Sequence, residues 1–136
     1  MDAISNDRIW HVAAFRKAMQ LLDDARNDAT QLSRARLYEP ISRQLFRAVG
    51  SIAANLSEGY SRSTGLDRAR FWEYSLGSVR ESLVWYYAAR AFLGSELADD
   101  RAATLVELRR LLLTSIANER QRRRVGRVSV PRDNCG

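Results

Sequence analysis

Residues that break helices, form disulfides or bind metals are scarce in this chain of 136 residues. Two prolines and seven glycines leave few places where a helix must stop or a tight turn must form. The lone cysteine, Cys135, excludes a disulfide within the chain, and the lone histidine, His11, leaves no pair of His or Cys ligands for zinc. We therefore expect neither a metal nor a cofactor.

Long apolar runs and the features of a secretory signal are also missing. A membrane-spanning helix needs roughly 20 apolar residues, whereas the most apolar stretch, residues 83–93, is interrupted by Arg90. The N-terminus opens with acidic residues, unlike a secretory signal. We expect a protein of the reducing cytoplasm that has no membrane partner.

Basic residues exceed acidic ones, for a formal net charge of +6, and every basic residue except Lys17 is an arginine. The planar guanidinium fork suits phosphate, so nucleic-acid binding is one interpretation, and an arginine-rich codon bias is another. The positive excess is concentrated after residue 118. Two interpretations of that segment remain open: a tail that binds RNA or DNA, and a cationic end without a partner. The candidate nucleic-acid contacts are a loop arginine and five C-terminal ones: Arg62, Arg120, Arg122, Arg123, Arg124 and Arg127.

Apolar residues recur once per helical turn along four segments, which predicts an all-α fold. The predicted helices span residues 4–27, 39–58, 66–93 and 99–122. Short connections favour an antiparallel up-down-up-down four-helix bundle over residues 1–122. Residues 123–136 then form an Arg-rich, flexible C-terminal tail. Gly59 follows the second helix, where a left-handed C-terminal residue is expected.

The third helix carries two features beyond a simple core stripe. Ser75 and Ser82 lie within the stripe, where small side chains allow close packing and hydroxyls can bond a carbonyl one turn back. Tyr74, Trp85 and Phe92 form a second apolar line about 90° from the core stripe. That line predicts either a broad core face or a subunit interface, where aromatic residues are enriched.

A polar line borders the apolar stripe of the second helix. Ser51, Asn55 and Glu58 step by four and three residues, and Arg47 lies one turn earlier. Ser78 and Glu81 on the third helix are the plausible partners. The simpler interpretation is a hydrogen-bonded network that fixes helix register. An enzymatic cleft built from the carboxylates and Asn55 is the alternative, but the scarcity of catalytic residue types favours a non-enzymatic protein.

Two segments resemble a known family. The first is QLFRAVGSIAANLSEG over residues 44–59, and the second contains Arg70-Phe71, Gly77-Ser78 and Glu81. Together they resemble the four-helix-bundle proteins of 23S rRNA intervening sequences, also called S23 ribosomal protein-like. The accessory variability protein of diversity-generating retroelements is a relative of that family. Leu56-Ser57 departs mildly from the family's usual Ile-Ala, and the residues from Arg122 onward lie outside its pattern.

The resemblance implies an assembly and two functions. It implies a closed homopentamer of such bundles, a number that periodicity alone does not give. The retroelement relatives have a basic surface for nucleic acid, which favours a non-enzymatic, oligomeric nucleic-acid-binding protein. Those relatives also bind a reverse transcriptase, so the alternative is an adaptor that docks a reverse transcriptase or another cellular protein.

Overall fold

The computed structural model describes the backbone of residues 3–128 and the side chains of residues 3–122. Four α-helices fill most of this range, and no strand occurs within it: α1 Ala13–Ser33, α2 Glu39–Tyr60, α3 Gly65–Leu93 and α4 Ser95–Val128. Two single-turn 3₁₀ helices, Ala3–Asn6 and Arg8–His11, precede α1. The predicted all-α class with four helices is thereby confirmed.

The predicted start of the first helix, residue 4, is wrong, because α1 begins only at Ala13 and residues 4–12 are not part of it. Asp7 accepts a hydrogen bond from the Ile9 amide at 2.8 Å and so caps a short 3₁₀ turn. Val12 is extended, with φ −81° and ψ 117°, and it separates this turn from α1. A side chain that captures a nearby amide competes with helix formation, which is why the periodicity misleads here.

The fourth helix is longer than predicted at both ends. It begins at Ser95, one residue after Gly94 ends α3 with a φ of 93°. It continues to Val128, so the backbone of residues 123–128, which the sequence assigns to the tail, is helical. The remaining tail residues, 129–136, lie outside the described residues.

Gly59 does not make the left-handed turn expected of it. It lies inside α2, whereas Gly94 is the glycine with a positive φ within the described range. A Cβ atom built on Gly59 would lie 2.6 Å from Trp72 Nε1 and 3.2 Å from the Arg68 carbonyl oxygen. Gly59 is therefore small because α3 packs against the backbone of α2 at this point.

The core is built from the predicted stripes. The central members of the stripes on α2, α3 and α4 are fully buried: Leu45, Val49, Ile52, Val79, Tyr86, Leu105, Leu108 and Leu112. α1 adds Leu21 and Leu32, the second of which lies beyond the predicted end of the first helix at residue 27. Each buried Leu, Ile or Val contributes about 1.5–3 kcal/mol relative to an exposed side chain. The two core serines differ: Ser75 donates across to the Ile52 carbonyl at 2.8 Å, and Ser82 donates back to the Ser78 carbonyl at 2.8 Å.

Helices that follow one another in the chain pack extensively, and α1 meets α4 over a smaller area. Contacts pair the end of α2 with the start of α3, as in Gly59 with Trp72. They also pair the start of α3 with the late part of α4, as in Arg68 with Glu119. Within the described residues, no helix combines the length and apolarity required to cross a bilayer.

Candidate functional site

An ion pair joins the two segments that carry the family resemblance, and with them α2 to α3. Arg47 on α2 pairs with Glu81 on α3. The guanidinium also donates to Gln44 Oε1 at 3.2 Å, and Trp85 Nε1 donates to Glu81 Oε1 at 3.3 Å. This group of four side chains, half exposed at the helix junction, fixes α2 against α3.

The other residues of the predicted polar line do not reach across to α3. Ser51 donates to the Arg47 carbonyl at 3.0 Å, and Asn55 donates to the Ser51 carbonyl at 2.9 Å. Ser78 likewise donates one turn back along α3, to the Tyr74 carbonyl at 3.2 Å. These three side chains satisfy their polar groups locally, so of the predicted network only the Arg47–Glu81 contact joins two helices.

The two carboxylates considered for catalysis each contact an arginine. Glu58 pairs with Arg62 one turn later on the chain at 3.1 Å, and Glu81 pairs with Arg47. Each of these carboxylates therefore has a guanidinium partner of its own. Among residues 3–122, no group of His, Cys, Asp or Glu side chains has the arrangement of a metal site.

The three aromatic residues of the second apolar line have different neighbours. Tyr74, 47% exposed, stacks edge-on against Phe71 with centroids 5.7 Å apart. Trp85 is half buried against the core, and Phe92, 43% exposed, contacts the Tyr38 ring at 5.1 Å. Only Trp85 packs on the core, so the outer two leave apolar surface on α3 available to a partner.

That outer surface of α3 is broader than the aromatic line. Val84 is 58% exposed. Gly77 lies on the same face of α3, and a Cβ atom built on Gly77 would have no other group within 4 Å. Gly77, Glu81, Val84, Ala88 and Ala91 step by four and three residues. This is the spacing of a helix seam. α3 therefore presents apolar residues both to the core and away from it.

Three of the six arginines predicted to bind nucleic acid have described side chains, and they lie at one end of the protein. Arg62 pairs with Glu58 at 3.1 Å, Arg122 reaches Glu119 at 3.7 Å, and Arg120 pairs with Glu73. All three are exposed. Glu58 and Glu73 are exposed as well, and exposed pairs of this kind are worth only about 0–1 kcal/mol, so phosphate can compete for Arg62 and Arg120. The other three, Arg123, Arg124 and Arg127, continue α4, and their side chains lie outside the described residues.

A bidentate ion pair that the residue pattern does not predict organises this end. Arg68 donates to both carboxylate oxygens of Glu119, at 3.1 and 3.2 Å, and Glu119 is only 8% exposed. Arg68 also donates to the Arg62 carbonyl at 3.0 Å, which holds the loop between α2 and α3. One signal was available: Glu119 follows Leu112 by seven residues and Ile116 by three, so it falls on the buried stripe of α4.

A second unpredicted cluster lies at the opposite end and is more deeply buried. Asp28 on α1, 1% exposed, accepts from the Tyr86 hydroxyl at 2.7 Å and from Arg101 Nε at 2.8 Å. Burial and the hydrogen bond to Asp28 raise the pKa of Tyr86 far above its usual value. The same carboxylate raises the pKa of Arg101 through its hydrogen bond. Asp28 continues the spacing of Leu21, Ala25 and Leu32, so it occupies a core position of α1 and links three helices.

These contacts define the class: an all-α protein of four helices whose buried polar side chains join one helix to another. The chain belongs to the family of 23S rRNA-intervening sequence proteins, whose profile matches residues 11–114. This confirms the family resemblance of residues 44–81.

The fold has a solved counterpart. A protein of unknown function from the S23 ribosomal protein family of Bacteroides thetaiotaomicron superposes with a TM-score of 0.72. The alignment covers 76% of this chain and 98% of that one at 19% sequence identity, so the likeness concerns the fold. No curated protein matches the chain.

Proposed function

We propose that this chain is a non-enzymatic, homo-oligomeric assembly protein that binds nucleic acid through arginines at one end. The four helices would run antiparallel, up-down-up-down. The contacts of Gly59 with Trp72 and of Arg68 with Glu119 support that order, because each joins the end of one helix to the start of its neighbour.

The observation that carries the proposal is the gathering of arginines from three elements, here called the basic end. They come from the α2–α3 loop, the start of α3 and the last described turns of α4: Arg62, Arg68, Arg70, Arg120 and Arg122. α4 continues through Arg123, Arg124 and Arg127, so its sequence adds further positive charge beyond Arg122. A cluster of arginines attracts phosphate and releases counterions from nucleic acid.

Only part of this charge is neutralised firmly. The buried carboxylate of Glu119 holds Arg68 in a bidentate pair, so Arg68 acts as a support. Arg62 and Arg120 instead pair with exposed carboxylates of Glu58 and Glu73. Because such pairs are weak, phosphate oxygens can replace those carboxylates at little cost. Arg62 and Arg120 are therefore the described arginines best placed to contact phosphate.

Salt-dependent binding tests this role. Affinity for RNA and DNA should fall steeply between about 50 and 200 mM salt. The slope of log affinity against log salt should become shallower by about 0.7–0.9 for each phosphate-contacting arginine that is removed. Arg62→Gln and Arg120→Gln are expected to reduce the slope. The matched control is Arg43→Gln, which removes an exposed arginine paired with Glu39 one turn away on α2, as Arg62 is with Glu58. Failure of the chain to bind either nucleic acid at the lowest salt would refute the proposal.

We propose Trp85 and Phe92, on the outer surface of α3, as the oligomer interface. Tyr74, the third residue of the predicted line, lies beside Phe71 at the basic end and stays outside this interface. Exposed Val84 and the open surface at Gly77 support it, because a helix in a lone bundle needs only one apolar face. We further propose the homopentamer that the family resemblance implies. Light scattering on the eluting protein should then give about five times the chain mass of 15.5 kDa. A monomer at all concentrations would contradict it.

An adaptor role is the second candidate, favoured by the same exposed apolar residues of α3. A reverse transcriptase or another protein would then cover Val84 and Phe92 in place of a second copy. Co-purification with a reverse transcriptase encoded next to this gene, lost on Val84→Glu, would favour the adaptor. A stable oligomer that binds nucleic acid and retains no such protein would favour the first candidate.

A further inference from the structure

We propose that Phe71 and Tyr74, flanked by Arg62 and Arg70, form a stacking platform for the bases of single-stranded nucleic acid. This inference rests on the proposed nucleic-acid binding and adds which form of nucleic acid the basic end prefers. It concerns two aromatic residues that the helix bundle itself does not need for its core.

The four side chains form one continuous surface group. The Phe71 and Tyr74 rings are 5.7 Å apart and nearly perpendicular, at 89°. The guanidinium carbon of Arg62 lies 4.7 Å from the Phe71 centroid, and Arg70 Nε donates to the Tyr74 hydroxyl at 2.8 Å. Each ring is thus held by the other ring and by a cation, although Tyr74 is 47% exposed.

These ring contacts orient the two arginines without neutralising their positive charge. Arg62 lies over the Phe71 ring in a cation–π contact, and its Nη2 donates to the exposed carboxylate of Glu58 at 3.1 Å, a weak pair that phosphate can replace. Arg70 bonds a neutral phenol, so its positive charge is not cancelled by that partner. Two cations beside the exposed Tyr74 ring and the partly buried Phe71 ring therefore offer phosphate contacts and a stacking face within one patch.

This combination distinguishes single strands from duplexes. Proteins that bind single strands pair a positive surface with aromatic rings, on which unstacked bases lie. In a duplex the base faces are covered by neighbouring base pairs, so only the phosphates can use this patch. The arginines alone would bind both forms, whereas the rings add affinity only for the single strand.

α3 offers a matched control for the ring. Tyr87 is 67% exposed, and Arg90 lies 3.7 Å from its ring centroid. Tyr87 lies 13 residues after Tyr74, about 20 Å further along the helix and away from the basic end. It therefore shares with Tyr74 the residue type, the helix, an exposed ring and an arginine contact, and differs in position.

The test measures fluorescence anisotropy of the full chain with three labelled probes. The probes are a uridine RNA oligomer of about 12 nucleotides, a thymidine DNA oligomer of the same length and a duplex of that length. Tyr74→Leu is expected to weaken single-strand binding by about fivefold to tenfold, because one stacked base is lost. Duplex binding should change by less than about twofold, since phosphate contacts remain.

Two further variants complete the comparison. Tyr74→Phe keeps the ring and loses only the hydroxyl contact with Arg70, so single-strand binding should stay close to that of the parent chain. Tyr87→Leu should leave all three affinities unchanged. Circular dichroism and solution mass should be unaltered by Tyr74→Leu, which separates lost stacking from unfolding or lost assembly.

Distinct outcomes overturn the inference and the proposed function. Equal losses for single strand and duplex with Tyr74→Leu, or no loss with either, would overturn the platform and leave nucleic-acid binding intact. A fall in solution mass without a change in single-strand affinity would assign Tyr74 to the oligomer interface and overturn the platform too. Absence of binding to all three probes would overturn the proposed function and the platform with it.

Discussion

Removing the carboxylate of Asp28 should destabilise the protein more than any other single charge deletion among the described residues. Asp28 is 1% exposed and accepts hydrogen bonds from Tyr86 and from Arg101, which belong to different helices. Asp28→Ala leaves a tyrosine hydroxyl without its acceptor and a largely buried guanidinium without its main partner. Breaking a buried ion pair from one side costs about 3–5 kcal/mol.

The value should fall near the lower end of that range. Arg101 retains Asp100 at 3.1 Å and Asp24 at 3.6 Å, and both carboxylates are exposed enough to be weak partners. A loss of about 3 kcal/mol is still a large part of the roughly 5–15 kcal/mol that stabilises a typical domain. Asp28→Asn should cost less, because its amide oxygen can still accept one of the hydrogen bonds.

Urea denaturation followed by the helical circular-dichroism signal measures this loss. The control is Asp23→Ala, which removes an exposed carboxylate 3.9 Å from Arg26 on the same helix and should cost less than about 0.5 kcal/mol. In a double-mutant cycle, Asp28→Ala and Arg101→Ala should be non-additive by more than about 1 kcal/mol. Additive effects, or a loss below about 1 kcal/mol for Asp28→Ala, would refute the reasoning.

Three other predictions concern packing, pH and assembly. Gly59→Ala should destabilise the protein by about 1–3 kcal/mol in the same urea assay, because the added methyl group would lie 2.6 Å from Trp72. Gly77→Ala is the control: its methyl group meets no other group and should stabilise the helix. Equal effects of the two substitutions would contradict this. Because the pKa of Tyr86 is raised in the folded state above the ordinary 10.0, the unfolded phenol loses its proton first. Above about pH 10 the free energy of unfolding of the parent protein should therefore fall by about 1.4 kcal/mol per pH unit more than that of Tyr86→Phe. Parallel pH curves for the two proteins would count against this. Trp85→Ala should lower oligomer mass more than helicity, and an unchanged mass with a collapsed helical signal would place Trp85 in the monomer core instead.

The pairing of Arg47 with Glu81 illustrates what a residue pattern can suggest about a site. Both residues border the apolar stripes of their helices, so each lies where α2 meets α3. Ser51 and Asn55 occupy the same border, yet they bond carbonyls of α2. At this half-exposed border the short side chains bond a carbonyl one turn back, and the long Arg47 reaches the next helix. Ser75 also bonds across to α2, but it lies in the core, where the two helices are in contact.

The arginines at the C-terminus show the opposite limit. Their number and position are evident from the sequence, and they predict a positive surface. Their partners are not evident: Glu73, which contacts Arg120, is 47 residues away in the chain. The positive charge of this end is therefore smaller than the sequence alone suggests, because the fold brings carboxylates to it.

By itself, the sequence determined the helical class, the four helical segments, the central core residues of α2, α3 and α4, and the family. These properties follow from apolar residues at one per helical turn and from short motifs, both of which are local. The tertiary structure alone decided that Asp28 and Glu119 are buried beside arginines, that Gly59 makes room for Trp72, and that α3 keeps a second apolar face exposed. Each of these depends on how the helices are rotated and spaced against one another, which no single helix encodes.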